Sequence, residues 1–324
     1  MTSIARNLRL NILLLLVLIV LLSETLLAQS PTAQQIALLH WYQSYGYSTV
    51  TVANEPVSLA FDGQSMWVAN YGSNSVSKVR VSDGAISTYT VGINPMGLAY
   101  DGFSIWVANT GSSTVTRLRA SDGVILANVT VGLRPTAVAF DGGSVWVTNQ
   151  NSNSVTRINT FNNAITGTFA TGQGPIGIAY DGANMWVTNE FDSTVTKLRA
   201  RDGLLLGTFV VGSSPIGIAF DGANMWVANS ASNSVMKLRA SDGGLVSTTP
   251  GFWPNSTPWG VAFDGTYIWV TLPGHNAFMK VQASNGVSLA GYFPAGSSSS
   301  PQGIAFDGLS IWTANWGANT VEKF

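Results

Sequence analysis

Residues 215–243 read PIGIAFDGANMWVANSASNSVMKLRASDG. Three apolar segments of strand length are set apart by Asp-Gly, by a Ser/Asn-rich stretch and by a second Asp-Gly, and a fourth apolar segment follows. Each is too short for a helix and is bounded by turn formers, so the unit reads as four short strands. The same text recurs along the chain. An aromatic-Asp-Gly triplet stands at Phe61, Tyr100, Phe140, Tyr180, Phe220, Phe263 and Phe306, spaced 39, 40, 40, 40, 43 and 43 residues apart. A fixed period near 40 is the mark of a repeat architecture.

Turn chemistry sets the connections. Asp62-Gly63 and its six equivalents join strands one and two. Asp83-Gly84, Asp122-Gly123, Asp202-Gly203 and Asp242-Gly243, with Asn162-Asn163 and Asn285-Gly286 in their place elsewhere, join strands three and four. Each unit is therefore an up-and-down meander. Strand one alternates small and large residues, as in Gly177-Ile178-Ala179-Tyr180, which suits the crowded innermost position. Strand two carries Trp67, Trp106, Trp146, Trp186, Trp226, Trp269 and Trp312, expected between blades as core. The seventh unit stops at Phe324 after its third strand, while Gly46 to Pro56 (GYSTVTVANEP) matches the fourth strand Ile125 to Pro135 (ILANVTVGLRP). The reading is an all-β, seven-bladed β-propeller over residues 46–324, its ring closed by the N-terminal strand.

The recurring WVAN or WVTN, followed by SVTR, TVTK or NTV, resembles the YVTN and NHL propeller superfamily and the streptogramin-lyase-like (virginiamycin B lyase-like) propellers, over essentially the whole mature chain. That resemblance implies the fold and leaves the activity open, because such propellers include lyases, sugar-acid lactonases and binding scaffolds. For the lyases it implies a His base and acidic residues that hold Mg²⁺. This chain has two His: His40 precedes the propeller, and His275 lies after strand two of blade six, in LPGHNAF, with no Glu-x-His pair beside it. No catalytic residue is carried over.

Composition narrows the classes. The 324 residues hold 34 Gly, 12 Pro and no Cys, with 46% apolar and only 10% charged residues. The absence of Cys excludes disulfides, thiolate catalysis and Cys-ligated zinc. A net charge of -1 offers no surplus to neutralise phosphates, which argues against nucleic acid. Arg6 and Arg9 precede the apolar run Ile12–Leu22, and Ala28 follows: the layout of a signal peptide over 1–28, too short for a bilayer span. The expected location is secreted or periplasmic, with an uncleaved N-terminal anchor as the alternative. Residues 29–45 read as a short helical spacer capped near Ser30-Pro31-Thr32.

Eleven of the twelve Asp lie in the repeated turns, where Lys and Arg from strand three are their expected partners. The pair outside that scaffold, Glu190 and Asp192, is a candidate for holding a divalent cation. On the opposite face, built from the loops leading into each blade and those joining strands two and three, the repeat is broken. Tyr71, Trp253, Trp259, His275, Phe278 and Trp316, from blades six, seven and one, are expected to gather there near the channel mouth. Aromatic platforms of this kind suit sugar rings or a protein anchor. The leading expectation is a secreted, non-enzymatic binding module for a glycan, cell-wall component or protein, with no cofactor. One alternative is a metal-assisted lyase or hydrolase using His275 with Glu190 or Asp192; another is a structural scaffold in an extracytoplasmic assembly.

Overall fold

A computed structural model of the chain describes residues 48–249, 254–289, 293–296 and 298–324. The signal-peptide and helical-spacer readings fall outside these residues, as does Trp253. Seven four-stranded antiparallel sheets follow one another, six of them with their strands hydrogen-bonded in the order of the sequence. Blade four is representative: Pro175–Tyr180, Asn184–Asn189, Thr194–Arg199 and Leu205–Val210. The seventh sheet is completed from the other end of the chain. Ser48–Thr51 pairs antiparallel with Thr320–Lys323, Ser48 opposite Lys323 and Thr51 opposite Thr320. Val50 thereby joins the cluster of Met66, Val68 and Val321, which welds blade seven to blade one. Blade six is the least regular, its fourth strand being only Phe293–Pro294.

The small residues of strand one are required by the close approach of the next blade. A Cβ on Gly177 would collide with the carbonyl oxygen of Ile216, and one on Gly217 with that of Trp259. The register of strand one shifts at this point, between Pro175 and Ile178. Thr188 on strand two holds the shift together: its hydroxyl accepts from the Gly177 N–H (2.8 Å) and donates to the Ile216 carbonyl (2.8 Å). Sequence thus becomes inter-blade packing through one methyl-free position and one hydroxyl.

The face of the Asp-Gly turns is a structural ring. In every blade the strand-two Trp donates its indole N–H to the turn Asp at 2.7–2.8 Å. The other oxygen of that Asp accepts backbone N–H groups of the turn, as Asp181 does from Ala183 and Asn184. Over each Trp ring lies a strand-three cation, 4.7–5.6 Å from its centre. That cation reaches forward: Lys197 donates to the carbonyls of Ala240 and Ser241 in blade five. Six of the Trp side chains are fully buried. The expected pairing of turn carboxylates with Lys and Arg is therefore present in two layers. Inner cations such as Arg117 sit 3.6 Å from Asp101, and outer ones such as Arg239 sit 2.7 Å from Asp242. The outer pairs are exposed and contribute little to stability.

Candidate functional site

The loop face carries one clamp repeated around the ring. The residue that leads into each innermost strand is held at positive φ: Glu55, Asn94, Arg134, Gly174, Ser214, Thr257 and Ser300. In six blades its carbonyl accepts the N–H of the first residue after strand two, for example Glu55 from Tyr71 (2.9 Å) and Gly174 from Glu190 (2.9 Å). The clamp therefore presents the side chains of Tyr71, Thr110, Gln150, Glu190, Ser230 and Trp316 at equivalent points around the mouth of the channel. Backbone is repeated; side-chain chemistry is not.

Neighbours in this ring touch. Tyr71 and Trp316, from blades one and seven, stand with ring centres 5.4 Å apart, tilted by 43°, and both are half-buried. Gln150 and Glu190, from blades three and four on the opposite side of the ring, are joined by a 2.8 Å hydrogen bond from Gln150 Nε2 to Glu190 Oε2. Burial pushes the Glu190 carboxyl above its ordinary value; the Gln150 hydrogen bond and the nearby Arg134 charge pull the other way without cancelling it. Beneath the mouth lies a hollow of about 260 Å³ lined by the innermost strands, among them Met96, Thr136, Ile176, Ile216 and Trp259. Trp259 occupies the place that Ile176 and Ile216 take in blades four and five, and stands half-buried in the channel wall.

The expected patch is thus realised in part. The structure brings Tyr71 and Trp316 together and sets Trp259 in the channel wall. Phe278, expected on this face, is instead buried, with its ring 4.4 Å from that of Phe324 and 5.6 Å from that of Trp269. His275 is a latch. Its Nε2 lies 3.0 Å from the carbonyl of Pro254 in the long leading loop; a carbonyl only accepts, so the ring nitrogen donates. The same slot in other blades holds Ser73, Ser112, Ser152 and Ser232, whose hydroxyls accept backbone N–H groups of the leading loops.

Asp192 fills that slot in blade four and accepts the Gln173 N–H at 2.6 Å. Glu190 turns instead toward Gln150, so the two carboxylates serve different partners. Among the described residues, no three of His, Asp and Glu gather closely enough to hold a metal ion. The structure thus does not gather Glu190, Asp192 and His275 into one cluster. Gln150, Thr136 and Arg134 escaped the reading of the sequence. A usable signal was there for Gln150, which follows WVTN by one residue, as Trp316 follows WTAN.

The fold defines a seven-bladed propeller, and comparison with known proteins agrees. The structure is similar to selenomethionine-substituted virginiamycin B lyase from Staphylococcus aureus (22% identity, 86% of this chain and 98% of that one, TM-score 0.75). It is also similar to a streptogramin B lyase (19% identity, 86% and 96%, TM-score 0.74) and to Kuenenia stuttgartiensis hydrazine synthase (18% identity, 85% and 96%, TM-score 0.74). At these identities the likeness is one of fold. No protein-family model and no curated protein matches the chain.

Proposed function

We propose that the protein is an exported, non-enzymatic propeller whose loop-face mouth binds a glycan, either free or as part of a cell-wall polymer. The observation that carries this reading is the Tyr71–Trp316 pair, half-buried at the mouth, where the other blades carry Thr110, Gln150, Glu190, Ser230 and Pro273. Half-exposed aromatic rings offer a flat apolar face to the C–H side of a pyranose. Across the mouth the half-buried Glu190 carboxylate, held by the buried Gln150 amide, offers an acceptor for hydroxyls. Export rests on the layout of residues 1–28. The non-enzymatic reading is supported by the engagement of His275 and Asp192 in backbone latches.

Calorimetric titration of residues 29–324 with wall-derived and plant oligosaccharides tests it. Trp316→Ala should weaken binding by about 2 kcal/mol, near thirtyfold in Kd, while the far-UV spectrum stays native. Unchanged affinity in Trp316→Ala and Tyr71→Ala would remove the aromatic pair from the site. The likeness in fold to two lyases keeps a metal-assisted lyase as the second reading. Its requirement is streptogramin turnover that depends on a divalent metal and vanishes in His275→Ala.

A further inference from the structure

On the opposite face, between blades three and four, the Asp-Gly turns part to leave a groove of about 650 Å³, within the range of small-ligand sites. It opens because the turn residues beside it are small: Gly143 stands where blades one and two carry Gln64 and Phe103, and Ala183 is its counterpart in blade four. Three guanidinium groups line it. Arg157 lies against the Trp146 ring, 3.8 Å from Asp141, and donates to the Ser144 hydroxyl and the Arg201 carbonyl. Arg199 is bound in a two-pronged pair to Asp202 at 2.9 and 2.6 Å.

Arg201 differs from both. Its Nε is 3.5 Å from the same Asp202 that Arg199 already occupies, and its side chain is 74% exposed. Arg201 is therefore the guanidinium of this groove that is least engaged by a carboxylate. Arg201 is also foreign to the repeat. Of the thirteen cations in residues 29–324, eleven stand at recurring positions of strand three, and the exceptions are Arg134 and Arg201. Ser82, Ser121, Ser241 and Ser284 take the place of Arg201 in other blades. Arg201 and Gly143, two residues that depart from the repeat, line the same groove, which marks a built feature.

We infer that this groove binds a small carboxylate-bearing ligand, its carboxylate held in the fork of Arg201 and its body laid along Tyr180 and Ala183. The guanidinium presents two parallel N–H groups that match a carboxylate's oxygens. The Tyr180 hydroxyl is already committed to the Gly182 carbonyl at 2.6 Å and the ring packs partly on the core, so its exposed edge is the part left to the ligand. This site is independent of the mouth on the loop face and stands or falls without it.

Digalacturonate is the probe, with its neutral counterpart digalactose as control, titrated calorimetrically into residues 29–324. Two variants keep the fold within the repeat's own vocabulary. Arg201→Ser restores the residue of four other turns. Gly143→Gln installs the residue of blade one, at a position whose Cβ would meet nothing nearer than 4.0 Å and whose φ is not in the left-handed region. Digalacturonate should bind, weaken with added salt, lose roughly tenfold or more in Arg201→Ser and be blocked by Gly143→Gln, while Trp316→Ala leaves it unchanged. No binding of digalacturonate, equal binding of digalactose, or equal affinity in Arg201→Ser would overturn the assignment.

Discussion

Replacing Asp221 by Ala removes one carboxylate from the ring of turns, and the structure fixes what is lost. Asp221 Oδ2 accepts the Trp226 indole N–H at 2.7 Å, and Oδ1 accepts the backbone N–H groups of Ala223 and Asn224 at 2.8 and 2.6 Å. Lys237 Nζ lies 4.0 Å away, with both side chains under a tenth exposed. Leaving the buried indole donor unpaired costs about 1–3 kcal/mol. Stripping a buried cation of its counter-charge costs about 3–5 kcal/mol. Lys237 retains the Ala283 carbonyl at 2.7 Å and the Trp226 ring, which offsets part of that penalty. The two losses share one site and do not add, so the expected total is about 3–5 kcal/mol. For a domain of this size each kcal/mol shifts Tm by about 2–4 °C, so calorimetry should show a fall of roughly 10 °C. Lys237→Met in the same background should recover part of it.

The pH dependence gives a second handle on the same carboxyl. Burial pushes Asp221 up, but the indole, the two backbone donors and the Asn224 amide outweigh it and hold the group below its ordinary 3.8. Its contribution is therefore complete above pH 3.8 and is lost as pH falls through the lowered value. A cost in Asp221→Ala below about 1 kcal/mol at neutral pH, or one that persists undiminished in acid, would refute Asp221, Trp226 and Lys237 as a stabilising unit.

Three further outcomes follow from other parts of the molecule. Removing the chain through Thr51 strips the partner from Thr320–Lys323 and takes Val50 from its cluster, so Tm should drop by several degrees and the exposed edge should promote association; an unaltered Tm contradicts the closure. Gly177→Val forces a side chain into the Ile216 carbonyl and should cost about 1–3 kcal/mol in denaturant unfolding, whereas the same change at exposed Gly143 should cost little. Glu190→Gln concerns a carboxyl raised above its ordinary 4.5, so the native state holds its proton more tightly and stability declines as pH rises from about 4.5 through the raised value. The variant should lack that slope and at pH 7 equal or exceed the native protein by under about 1 kcal/mol, the site being only half-buried; an identical difference at pH 4 and pH 7 would contradict the assignment.

Blade number, strand order and ring closure could be read from residues alone because each rests on local chemistry repeated seven times. Asp-Gly specifies a turn wherever it occurs, and Gly177 or Gly217 announces a close approach. The turn-face pairs were likewise legible, since Lys and Arg two residues apart on strand three point to one side. The loop face was harder for the opposite reason. Trp316 and Tyr71 meet because the positive-φ residue ahead of each blade clamps the first residue after strand two, and that hydrogen bond spans the interval from Glu55 to Tyr71. His275 looked chemically exceptional by type, yet it occupies a latch slot that Ser fills elsewhere. Arg201 went unread in the sequence because only the groove beside Gly143 gives it a setting.

The most direct test of the account is the affinity of residues 29–324 for oligosaccharides, measured by titration with and without Trp316→Ala and in the presence of EDTA. Sugar binding should survive EDTA and fall about thirtyfold in the variant, with no chemical change in the recovered ligand. Binding that requires a divalent metal, or a ligand recovered cleaved, would contradict a non-enzymatic module and return His275 and Glu190 to the centre of the problem.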